Sequence, residues 1–114
     1  MQIQEILNLL FISYKLRFVQ TFKQENAKEY LTLEKQFEAF EKDNPEVPKG
    51  KRYIPVSGRD PSNTLIWECD FPSLEDAHKA QAFFLNDARH EELFLEQAKY
   101  IVGTYTEIYR PFDS

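Results

Sequence analysis

Apolar and polar residues alternate along residues 11–20, FISYKLRFVQ: Ile12, Tyr14, Leu16 and Phe18 fall on one side, Ser13, Lys15 and Arg17 on the other. A period of two in aromatic and β-branched sequence predicts a strand. The period then changes. In residues 24–43, Tyr30, Leu33, Phe37 and Phe40 step by three and four, and Ala27 and Leu31 broaden the stripe. That spacing predicts a long helix, with Glu34, Glu38 and Glu41 toward water. Asn44-Pro45 ends it, and Pro48 and Gly50 complete a loop. Residues 51–57, KRYIPVS, predict a short strand, and Pro55 puts it at an edge because proline cannot donate to a ladder. Residues 58–63 form a turn rich in Gly, Pro, Asp and Asn.

Residues 64–71, TLIWECDF, are the most strand-like segment: Leu65, Trp67, Cys69 and Phe71 alternate with Thr64, Ile66, Glu68 and Asp70. Ser73 opens the next helix as an N-cap, with Glu75 and Asp76 at the positive end of the helix. Ala77, Ala80, Gln81 and Phe84 carry its inner stripe, a break falls near Asn86-Asp87, and residues 88–99 continue helically with Leu93, Phe94 and Ala98 inward. Residues 101–110 predict the last strand, which Pro111 stops. Residues 1–10 form a lead-in, either a short amphipathic helix on Ile3, Ile6, Leu7 and Leu10 or an extension of the first strand.

The order strand, helix, strand, strand, helix, strand is the ferredoxin-like βαββαβ arrangement. The fold class is therefore α+β: a four-stranded antiparallel sheet, the first and third strands central, with the helices on one face. Residues 11–114 make a single domain, the length of chain that one core can serve. The other face of the sheet lacks a helical cover, and a second copy of the chain is the simplest one.

Composition narrows the function classes. Nineteen acids against 14 bases give a net charge of −5, which argues against general affinity for nucleic acid. Hydrophobic residues at 42% and charged residues at 29% are the balance of an ordinary globular domain, but 15% aromatic is high and points to a pocket wall or a subunit interface. No apolar run approaches the ~20 residues of a membrane span. Gln2, Gln4 and Glu5 stand where a signal peptide would be basic, so a cytoplasmic location is expected. The lone Cys69 cannot form an intrachain disulfide, and its strand context makes it a small buried hydrophobe.

The Tyr14-Lys15-Leu16-Arg17, Leu65-Ile66-Trp67-Glu68 and Ser73-Leu74-Glu75-Asp76-Ala77-His78 segments resemble the dimeric α+β barrel superfamily, and within it NIPSNAP-like and antibiotic-biosynthesis-monooxygenase-like members. The resemblance spans residues 11–112 and its motifs are mostly structural, so it speaks to fold more than to function. It implies a dimeric α/β barrel, two sheets packed face to face, with a pocket between each sheet and its helices. The superfamily includes cofactor-free monooxygenases, haem-degrading enzymes and isomerases.

The resemblance also implies a first pair of catalytic candidates, Glu68 on a strand and His78 in the following helix. The spacing is about one residue off the monooxygenase pattern, and a second histidine is absent until His90. An exposed helix histidine is the plainer reading of His78; the functional one is a general base or hydrogen-bonder. Lys15 and Arg17 share the helix-free face with Glu68 and Asp70, as a structural ion pair or as an anion-binding patch for a carboxylate. Tyr105, with Tyr53 and Tyr109, supplies pocket hydroxyls or fills an interface, and Trp67 is more often core than ligand platform.

No CxxC, HExxH or His-rich spacing suggests a metal, and three glycines outside any phosphate-binding array suggest no nucleotide cradle. Haem degradation fits poorly, because Leu93 and Phe94 stand where an iron-ligating histidine is expected and only His90 could replace it. No cofactor is therefore expected. The sequence reads as a homodimeric α+β barrel binding a small organic molecule. The alternatives are a cofactor-independent monooxygenase or isomerase, and an interaction module without a pocket.

Overall fold

The computed structural model describes Gln2, Ile3 and residues 13–113. The lead-in expected over residues 1–10, and the first two residues of the expected opening strand, lie for the most part outside the described residues. Strand β1 spans Tyr14–Phe22. After a 3-10 turn at Gln24–Asn26, helix α1 runs Ala27–Asp43. Strand β2 is Lys51–Tyr53, β3 is Thr64–Phe71, helix α2 is Leu74–Asn86, helix α3 is Ala88–Ala98 and β4 is Ile101–Tyr109. The sheet is antiparallel with the order β2-β3-β1-β4, so β1 and β3 are central and β2 lies at an edge. This is the α+β ferredoxin-like fold that the periodicity predicts.

Local chemistry explains the boundaries. The Ser73 hydroxyl accepts the Asp76 N–H at 3.1 Å, capping α2. The Asp87 carboxylate accepts the N–H groups of Arg89 and His90 at 2.9 and 3.1 Å, so it breaks one helix and starts the next. β2 is shorter than the expected 51–57: residues beyond Tyr53 leave the ladder, with Pro55 among them.

The core lies between the sheet and the helices. Leu16, Val47, Trp67, Ala80 and Phe84 form one cluster, and Phe22, Tyr30 and Leu65 a second. Phe18 stacks on Trp67 at 5.2 Å, and Phe84 meets both rings edge-on at 5.6 and 5.3 Å. The expected core role of Trp67 holds. Gly50 lies against the same indole so closely that a Cβ there would sit 2.1 Å from ring atoms. Cys69 is only half-buried, at the margin of the first cluster.

Two expectations about helix faces need correction. Glu34 and Glu41, expected in water, are buried, and the fully buried residue of α3 is Gln97 rather than Leu93, Phe94 or Ala98. The buried stripe of α1 is Tyr30, Glu34, Phe37 and Glu41. The reason is Arg52, which neighbours Trp67 in the ladder and so turns toward the helices, where it meets both glutamates.

The helix-free face is not wholly bare. Asp60, in the loop between β2 and β3, accepts the Tyr105 hydroxyl of β4 at 2.7 Å, and Arg59 lies over the Tyr105 ring at 5.0 Å. Since β1 lies between β3 and β4, this loop crosses it, and Val19 beneath is 1% exposed.

Candidate functional site

A cavity of about 420 Å³ opens between the sheet and all three helices, within the usual ~300–1,000 Å³ of small-molecule sites. Its apolar wall includes Phe18, Leu65 and Trp67 from the sheet and Phe37, Phe84 and Phe94 from the helices. The sheet contributes aromatic residues here because β1 and β3 alternate, with Phe18 directly opposite Trp67 in the register.

A buried polar cluster forms the cavity's inner end. Arg52 donates from Nε to Glu34 Oε2 at 2.6 Å and from its terminal nitrogens to Glu41 at 3.2 and 2.5 Å. Gln97 donates to Glu34 Oε1 at 2.8 Å. Glu41 Oε1 also accepts the Gly50 N–H at 3.1 Å and the Trp67 indole N–H at 3.3 Å. Gln20 accepts the Tyr30 hydroxyl at the same end. Burial pushes the Glu34 pKa above the usual carboxylate range, and the Arg52 charge and the bonds from Gln97 and Arg52 oppose this only in part. Burial works against the Arg52 charge too, yet its two glutamates hold its pKa above the ordinary value.

His90 also lines the cavity, its ring 5.0 Å from those of Phe37 and Phe84. Burial lowers its pKa, outweighing Asp87 and Glu41, so the neutral imidazole is favoured. Just behind it, Arg89 ties the α2–α3 corner to the loop after α1: it bonds Asp87 at 2.9 Å, Asn44 at 3.1 Å and Glu46 at 3.2 Å, and covers the Phe40 ring. Exposed Leu85, Glu91, Thr104 and Thr106 border the opening.

The sequence matches no protein-family model and no curated protein. Solved structures do match. A NIPSNAP family protein from Agrobacterium tumefaciens superposes with a TM-score of 0.70 at 18% identity, over 89% of this chain and 94% of that one. An uncharacterised NIPSNAP domain protein from Burkholderia xenovorans gives 0.67 at 10% identity, over 86% and 93%. A Nitrosomonas europaea protein provisionally named an antibiotic biosynthesis monooxygenase gives 0.63 at 10% identity, over 87% and 98%.

The chain shares the fold of these structures.

Within that fold the residues singled out in the sequence divide between the two faces of the sheet. Lys15, Arg17, Glu68 and Tyr105 all lie on the helix-free face, away from the cavity. Arg17 donates to Glu68 at 2.8 Å, to Glu107 at 2.6 Å and to the Tyr109 hydroxyl at 3.0 Å. Lys15 stands 3.5 Å from Glu68 and 3.4 Å from Asp70. Burial disfavours the Arg17 charge, but the bonds to Glu68 and Tyr109 raise its pKa above the ordinary value. Both cations are thus already matched by carboxylates of their own sheet. His78 is exposed on α2, while the Glu68 side chain points to the opposite face of the sheet, so the fold does not bring these two together.

The residues that do converge on the cavity, Glu34, Glu41, Arg52, His90 and Gln97, were not candidates from sequence apart from the brief consideration of His90 as an iron ligand. A signal was present. Tyr30, Glu34, Phe37 and Glu41 share one helical stripe, and so do His90, Phe94 and Gln97. Among the described residues no group of three or more His, Cys, Asp or Glu is arranged to hold a metal ion, and no helix is long and apolar enough to cross a membrane.

Proposed function

We propose that this protein is a homodimeric α+β barrel that binds a small, largely apolar organic molecule in the cavity between sheet and helices. The observation that carries the reading is the cavity itself: about 420 Å³, walled by aromatic rings and ended by a buried hydrogen-bonded cluster. Apolar walls supply affinity, and a few fixed polar groups supply orientation. A buried arginine with two buried glutamates is a costly way to fill a core, and a ligand that uses the cluster's polar atoms gives that cost a purpose.

The dimer is supported by the sheet face opposite the helices. Next to the charged ladder of Lys15, Arg17, Glu68 and Glu107, Tyr53 of β2 and Tyr109 of β4 share that face by register and are exposed. Such groups clustered around one face are the surface a second copy would cover. The single cysteine and the acidic balance fit a cytoplasmic protein.

A second reading is favoured by His90. A neutral imidazole inside an aromatic cavity is suited to accept a proton from a bound substrate, which fits a cofactor-independent isomerase or monooxygenase. In that reading His90 takes the role first considered for His78.

Native mass spectrometry of freshly purified protein tests dimer and ligand together. The expected result is twice the chain mass, with a retained adduct or with small aromatic compounds binding on addition. A monomer at micromolar concentration refutes the dimer. The absence of any adduct, joined to unchanged thermal melting across a panel of small aromatics, refutes the ligand site.

A further inference from the structure

If the cavity is a ligand site, as proposed above, its charge decides what kind of ligand it holds. Two glutamates, Glu34 and Glu41, meet a single guanidinium at its inner end; burial favours the protonated form of Glu34, and an ammonium beside it would favour the carboxylate, whereas an entering anion would oppose it. Glu91 adds a carboxylate at the opening, and His90 is favoured neutral, so it does not offset that charge. Lys15 and Arg17 are on the other face of the sheet and committed to Glu68, Asp70 and Glu107.

The hydrogen-bonding capacity has the same bias. A carboxylate offers about four acceptor sites. Glu34 uses two of them in the bonds described, one to Arg52 and one to Gln97. The Gln97 carbonyl and the second nitrogen of a neutral imidazole are further acceptors. The walls add to this preference. Phe18, Trp67 and Phe84 surround the space with rings, and an aromatic ring attracts a cation to its face. An entering carboxylate would instead meet like charge among apolar walls, where an unpaired charge is costly.

We propose that the cavity selects a small aromatic amine, bound as its ammonium, over a carboxylate of the same shape. The rings of the wall take the aromatic part, Glu91 at the opening attracts the ammonium on entry, and Glu34 at the inner end receives it. This reverses the ligand charge expected of Lys15 and Arg17 as a carboxylate site.

Trp67 is the only tryptophan and lines the cavity, so its fluorescence reports occupancy directly. Phenethylamine, phenethyl alcohol and phenylacetate share one skeleton and differ in charge. Titration of the full chain should show phenethylamine binding about tenfold more tightly than phenylacetate, with the alcohol between them. Glu91→Gln, an exposed change that leaves the core intact, should narrow the amine-to-acid ratio; Glu34→Gln, checked for folding by its melt, should narrow it further. Phenylacetate binding as tightly as phenethylamine, or a ratio unchanged in the folded variants, overturns the charge selection while the ligand site stands. No response to any of the three, with melting also unchanged, overturns the ligand site and the selection with it.

Discussion

Replacing Arg52 by Met keeps much of the side chain's length and removes its charge. The change leaves Glu34 and Glu41 facing each other with side chains only 11% and 7% exposed. Three donor contacts disappear, at 2.6, 3.2 and 2.5 Å. Gln97 still serves Glu34, and Gly50 and Trp67 still serve Glu41, so both carboxylates keep some support. Breaking a buried ion pair by removing one partner costs about 3–5 kcal/mol, against a total stability of about 5–15 kcal/mol for a domain. With a urea slope of about 1–3 kcal/mol/M, the unfolding midpoint should fall by roughly 2 M.

The sign of the pH dependence follows from Glu34. Its folded-state pKa is raised by burial, so between the unfolded and folded values the folded protein holds a proton that the unfolded chain has released. That contribution is complete below the unfolded carboxylate pKa and is lost as pH rises through the folded one. Without Arg52 the folded pKa rises further. The penalty of Arg52→Met should therefore be smallest below the ordinary carboxylate value of 4.5 and grow toward neutrality. Urea unfolding at several pH values measures this. Adding Glu34→Leu and Glu41→Gln to Arg52→Met should recover part of the loss, because a charge-free cluster contains no unpaired ion. A midpoint unchanged by Arg52→Met, a penalty that does not vary with pH, or a triple variant weaker than the single one would refute the reasoning.

Gly50→Ala should cost about 1–3 kcal/mol in thermal or urea melts, since its Cβ would fall 2.1 Å from the Trp67 ring and force one of them to move. Unchanged stability would mean that the Gly50–Trp67 contact relaxes freely. Arg17→Met should cost about 1–2 kcal/mol by leaving Glu68 and Glu107 without their shared cation. Glu68→Leu combined with it should cost less than the sum of the two, and strict additivity would show that the ladder is not coupled. The Cys69 thiol is pushed up to about 11, by burial first and then by Asp70, so thiol labelling near pH 8 should be about a hundredfold slower in the folded protein than in urea. Equal rates would place that thiol in open water.

Helix α1, which lines the cavity, buries a face that its local pattern does not reveal. A stripe at helical spacing locates an inner face only to within one residue on either side, and apolar character selects Leu33 and Phe40 over Glu34 and Glu41. The apolar choice is sound for an isolated helix, because a lone buried carboxylate is costly. It fails when a cation is waiting. Arg52 lies 18 residues from Glu34 and 11 from Glu41, and Gln97 lies 63 from Glu34. Nothing in the local pattern of α1 reports them.

Features that depend on near neighbours along the chain are legible in the residues alone. Strand alternation set the two faces of β1 and β3, which put Trp67 in the core and made Arg17 and Glu68 neighbours. Ser73 and Asp87 marked helix starts through their own side-chain oxygens, and the element order implied the ferredoxin-like topology. The tertiary structure alone decided which polar groups are buried, how the 54–63 loop reaches Tyr105, and that His90 rather than His78 faces the cavity. Each of these is a balance between desolvation and a partner distant in sequence. A period of two or of 3.6 carries no information about that partner until the sheet and helices have brought it within about 3 Å, the length of a hydrogen bond.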